Sequence, residues 1–136
     1  MIFLTLRNNI SMKKEDLMIG DWVNIQIGKD DEPMYSQVEQ LWECEIDADF
    51  QTDYENVYPI KLTKEILYKN GFNGEVYLLI NVGDEKILEY YPFEHRLSLL
   101  YDEGKNQELL FRCQCFYVHE FQHALKMCGI KKEIVL

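Results

Sequence analysis

Residues 75–115, EVYLLINVGDEKILEYYPFEHRLSLLYDEGKNQELLFRCQC, decide the fold. Four runs rich in β-branched, aromatic and leucine residues follow one another: Glu75 to Asn81, Lys86 to Tyr91, Arg96 to Tyr101 and Glu108 to Cys115. Between them stand turn residues, Val82-Gly83-Asp84-Glu85 and Asp102-Glu103-Gly104-Lys105, so the stretch predicts a meander of hairpins.

Upstream of the meander, Thr63 is placed to cap a short helix through Lys64-Glu65-Ile66-Leu67-Tyr68-Lys69, and Asn70-Gly71 supplies residues that tolerate the left-handed conformation ending it. Ile66 and Leu67 are the positions that dock it on the sheet. Downstream, a helix is predicted from about Phe116 to Cys128, stopping at Gly129. At 100° per residue, Val118, Phe121, Ala124, Leu125 and Cys128 form one apolar stripe, with His119, Gln122, His123 and Lys126 on the other side. Residues 130–136 read as a returning edge strand guarded by Lys131 and Lys132.

The first half carries two further alternations. In Ile19 to Ile27, Val23, Ile25 and Ile27 share one side of a strand that follows the turn at Gly20, and Gly28 to Pro33 is a polar turn. From Trp42 to Phe50, Trp42, Cys44, Ile46, Ala48 and Phe50 alternate with Glu43, Glu45, Asp47 and Asp49, which predicts a half-buried strand with an acidic outer face. Short strands separated by turns suggest a small SH3-like, barrel-like portion here. The predicted class is therefore α+β, mostly antiparallel sheet with that N-terminal portion and two helices. Residues 12–136 form a single domain, preceded by a flexible extension or alternative start over residues 1–11.

Composition bounds the function. The chain has 136 residues, 47% hydrophobic and 13% aromatic, ample for a packed core. Its 24 acidic against 14 basic residues give a net charge of −10, which repels phosphate backbones and disfavours direct nucleic-acid binding. The apolar run at the N-terminus is too short for a signal peptide or membrane span, and four cysteines without a C-x-x-C pair suit a reducing cytoplasm. Cys113 and Cys115 lie two apart on one strand face and are assigned to core packing.

Two motifs carry chemistry. His119-Glu120-Phe121-Gln122-His123 has the H-E-x-x-H spacing, in which two imidazoles on one helix face hold zinc and the glutamate activates a bound water. The extended form needs glycine and histidine where this chain has Lys126 and Gly129, and the third ligand is left to Glu133, Glu94, His95 or Asp102. The pentapeptide thus reads as an HExxH look-alike, with zinc hydrolysis as the alternative. The second motif is the row Glu43, Glu45, Asp47 and Asp49, whose strand spacing of about 6.6 Å is near twice the rise per nucleotide. It is a solubilising or partner-binding face, with nucleic-acid mimicry as a further alternative. No phosphate-binding glycine loop or serine elbow occurs, and no cofactor is implied.

Three segments, Ile19-Gly20-Asp21-Trp22-Val23, Pro59 to Leu67 with Lys69-Asn70-Gly71-Phe72, and Tyr117 to Leu125, resemble a family of small uncharacterised proteins from Bacteroidetes genomes and their phages or prophages. The resemblance runs from Met12 onward. In that family the last segment is better written Tyr-Val-His-x-Leu-Gln, which implies that the His119/His123 pair is accidental and that Tyr117, Val118 and Phe121 seat the helix on the sheet. Together these readings point to an intracellular binding or accessory protein of a mobile element, engaging another protein through the acidic face or the His119/His123 face.

Overall fold

The computed structural model describes residues 10–28, 32–104 and 106–136. Contacts group the chain into two compact units, Met1–Ile60 and Lys61–Leu136. Among the described residues these hold ten strands in three antiparallel sheets and two α-helices, the mostly-sheet α+β class predicted from patterning.

In the first unit, two three-stranded sheets stand where a barrel-like portion was expected, and among the described residues no barrel closes. β1 (Trp22–Ile25) lies between β2 (Met34–Gln37) and β6 (Val57–Tyr58), and β4 (Glu45–Asp47) lies between β3 (Gln40–Leu41) and β5 (Gln51–Asp53). Val23, Ile25, Ile46 and Val57 are wholly buried with Val38, Leu17 and Met12 around them, each large side chain contributing roughly 1.5–3 kcal/mol of transfer free energy. Ile27, predicted to share the inner face, is exposed because β1 ends at Ile25. The Met12 N–H donates to the Val57 carbonyl at 2.7 Å, so the chain is already core at Met12. Residues 1–9 of the predicted extension and residues 29–31 of the predicted polar turn lie outside the described residues.

The nine-residue alternation from Trp42 to Phe50 does not form one strand. Only Glu45–Asp47 pairs. Trp42 to Glu45 closes a tight reversal from β3, with the Trp42 N–H on the Glu45 carbonyl at 2.9 Å, and a second reversal joins Ala48 to Phe50 at 3.2 Å. Trp42 and Cys44, predicted to face inward, therefore face solvent, while Ile46 and Ala48 stay buried.

The second unit contains the predicted meander, with β7 (Leu78–Gly83), β8 (Lys86–Tyr91), β9 (Arg96–Asp102) and β10 (Gln107–Gln114) in the spatial order β10-β9-β8-β7. β7 begins three residues later than expected. Gly74, at φ +132, brings the backbone so close to the Tyr77 carbonyl that a Cβ there would sit 1.9 Å away, and residues 75–77 bend rather than pair. Asp84 and Glu85 turn the first hairpin with φ of 53° and 61°, the paired left-handed residues that a two-residue loop needs.

α1 (Lys64–Lys69) starts as predicted, with the Thr63 hydroxyl accepting the Ile66 N–H at 3.3 Å. α2 (Val118–Met127) buries Val118, Phe121, Ala124 and Leu125 of the predicted stripe, while its fifth member, Cys128, caps the helix end and is only partly buried, and Phe121 meets Phe72 edge-on at 5.9 Å. The returning C-terminal strand is not formed. Ile134 is buried without a ladder, and the tail is held by the Asn70 side chain instead.

Candidate functional site

The H-E-x-x-H pentapeptide occupies the first turns of α2, and its glutamate has a structural task. Glu120 Oε1 accepts the N–H of Tyr117 at 3.0 Å and of Phe116 at 2.9 Å, satisfying donors that the start of a helix leaves open. His119 and His123 do share a face, their rings edge-on at 5.6 Å, as i and i+4 must. Both were expected to point away from the core, yet His119 is only 8% exposed and stacks on Tyr117 at 5.8 Å. Among the described residues no group of three His, Cys, Asp or Glu side chains is arranged to hold a metal ion, so Glu133, Glu94, His95 and Asp102 do not complete a zinc site with this pair.

Beside α2 lies a cluster that patterning did not bring together. The Tyr90 hydroxyl donates to the Cys115 carbonyl at 2.8 Å, and the Cys115 N–H donates to the His95 carbonyl at 2.7 Å. His95 is left-handed at φ 51° and lays its ring on Phe116 at 4.6 Å, a conformation that costs a non-glycine residue roughly 1 kcal/mol. The Cys113 and Cys115 sulfurs are 3.6 Å apart. Burial pushes the Cys115 and Tyr90 groups well above their ordinary pKa values. Burial raises Cys113 too, opposed by the hydrogen bond from Cys115, and Cys128 is raised by burial and by Cys113. The sequence signal for the cluster was the C-x-C spacing alone.

A cavity of about 470 Å³ opens between the β7–β8 hairpin and the chain after α2, walled by Lys86, Lys131, Lys132, Asp84 and Cys128 among others. Three ammonium groups against one carboxylate make it locally cationic.

The acidic row is divided by the fold. Glu45 and Asp47 sit on β4, whereas Glu43 and Asp49 lie in the flanking reversals, so the even spacing of a phosphate mimic is not kept. Asp49 accepts from the Ser36 hydroxyl at 2.8 Å and Glu43 pairs loosely with Lys14 at 3.7 Å. Trp42, half exposed, donates its indole N–H to Asp47 at 3.2 Å, while its carbonyl accepts the Tyr54 hydroxyl at 2.6 Å. Across the ladder Glu45 faces Asp53, like charges directly opposed. Charge is partitioned between the units. Residues 1–60 hold 13 acidic against 4 basic side chains, a net −9, whereas residues 61–136 hold 11 against 10, a net −1.

No family model, curated protein or solved structure matches the chain. Among the described residues no helix is long and apolar enough to cross a membrane.

Proposed function

We propose that the protein is an intracellular binding or accessory protein whose first unit docks on a basic, arginine-bearing surface of another protein. The observation that carries this reading is the exposed Trp42 indole held against Asp47 within a unit of net charge −9. A guanidinium stacks on an indole face and pairs with adjacent carboxylates, and aromatic residues are enriched where protein interfaces carry their energy. The long-range field of such a unit speeds encounter with a basic partner. The mobile-element setting rests on the Bacteroidetes phage resemblance.

The test is binding of the full chain to a fluorescent arginine-rich peptide, read by anisotropy at low and high salt. The expected result is salt-sensitive binding that falls on the order of tenfold when Glu43→Gln, Glu45→Gln, Asp47→Asn and Asp49→Asn are combined. Equal affinity for the variant, with its fold intact by circular dichroism, sinks the reading.

A further inference from the structure

We propose that Cys113 and Cys115 form a redox-active dithiol that exchanges with small-molecule disulfides, Cys113 attacking and Cys115 resolving. Their sulfurs lie 3.6 Å apart, in contact but unbonded. The two thiols differ in access: Cys113 is partly exposed on β10, an edge strand of the sheet, while Cys115 is fully buried. A small disulfide therefore reaches Cys113 first.

Closure requires a small movement of the two sulfurs. A disulfide bond is about 2.05 Å long, so the sulfurs must approach by about 1.5 Å. Cys115 lies one residue beyond the last ladder position of β10 and is tethered by its N–H to the His95 carbonyl and its carbonyl to the Tyr90 hydroxyl. Closure therefore moves Cys115 against these two bonds and leaves the ladder from Gln107 to Gln114 in place.

In the first step Cys113 gives its proton to solvent, and the thiolate attacks one sulfur of the small disulfide. The S–S bond breaks, the departing thiolate takes a proton from solvent, and a mixed disulfide remains on Cys113. Cys115 then gives its proton to solvent and attacks the Cys113 sulfur; the mixed S–S bond breaks, and the departing small thiolate takes a proton from solvent to leave as the second thiol. Two protein thiols become one protein disulfide, and their two electrons reduce one small disulfide to two thiols. The eleven-membered ring so formed is small, and strained disulfides are the readily reduced ones.

The test uses the full chain carrying Cys44→Ser, which removes the exposed thiol of the first unit, incubated with oxidised glutathione and read by intact mass and peptide mapping. The expected product has lost two hydrogens within the peptide holding Cys113 and Cys115. With Cys115→Ser added, one glutathionyl group stays on Cys113; with Cys113→Ser instead, Cys115 takes up on the order of tenfold less. On the chain with both thiols intact, limiting alkylating reagent labels Cys113 ahead of Cys115, a reading independent of how the variants fold. No two-hydrogen loss, a bridge from Cys113 to Cys128, or equal labelling of Cys113 and Cys115 overturns the proposal.

Discussion

The side-chain amide of Asn70 reads the backbone of Val135 in both directions, donating to its carbonyl at 2.8 Å and accepting its N–H at 2.9 Å. The same amide nitrogen also reaches the Ile66 carbonyl at 2.7 Å, so one buried side chain ends α1 and pins the C-terminal tail. Asn70→Ala strands those backbone groups and is expected to lower unfolding free energy by about 2–3 kcal/mol. Removing residues 134–136 should cost a comparable amount, because buried Ile134 leaves with the tail. Urea titration measures both, and a loss below about 0.5 kcal/mol for Asn70→Ala contradicts the assigned role.

Glu120 is assigned to the start of α2. Glu120→Ala should then destabilise by about 1 kcal/mol, while Glu120→Gln, which keeps an acceptor oxygen, should retain most of the stability. Thermal melting separates the two variants. Equal melting temperatures for alanine and glutamine would remove the capping explanation.

Glu45 opposite Asp53 is a repulsion that folding alone does not require. Asp53→Lys should stabilise the chain by a few tenths of a kcal/mol and weaken binding to a basic peptide. Trp42→Ala, at a half-exposed site, should leave stability nearly unchanged and also weaken that binding. A Trp42→Ala variant that binds as tightly as the parent shows that the indole is not part of the interface.

Alkaline pH should destabilise the fold. Cys113, Cys115, Cys128 and Tyr90 all have raised pKa values, so the folded chain keeps protons that the unfolded chain releases. Their contribution is complete below about pH 8.5, where the unfolded thiols are still protonated, and declines as pH climbs beyond it. Denaturant titrations between neutral and strongly alkaline pH should show this decline. Tyr90→Phe should flatten its upper part while costing about 1 kcal/mol at neutral pH for the lost bond to the Cys115 carbonyl. A pH-independent stability over that range rejects the burial argument.

Much of the second unit was legible because its information is local. Thr63 and Gly71 bound α1, the turn residues separate β7 through β10, and the stripe from Val118 to Leu125 states which face of α2 is buried. The alternation from Trp42 to Phe50 misled for an equally physical reason: period-two patterning signals faces, but contains no term for where the chain must reverse. The tail was misread because its anchor, the Asn70 amide, is 65 residues away in sequence.

Composition, hairpin order, helix caps and core stripes were thus determined by the sequence itself, since each depends on residues within a turn or two of one another. Tertiary structure alone decided that His119 is buried, that Trp42 and Asp47 meet in solvent, and that the Cys113 and Cys115 sulfurs touch beside Tyr90 and His95. Those relationships depend on which faces the folded chain presses together, and a residue's own periodicity specifies a face without specifying what it meets.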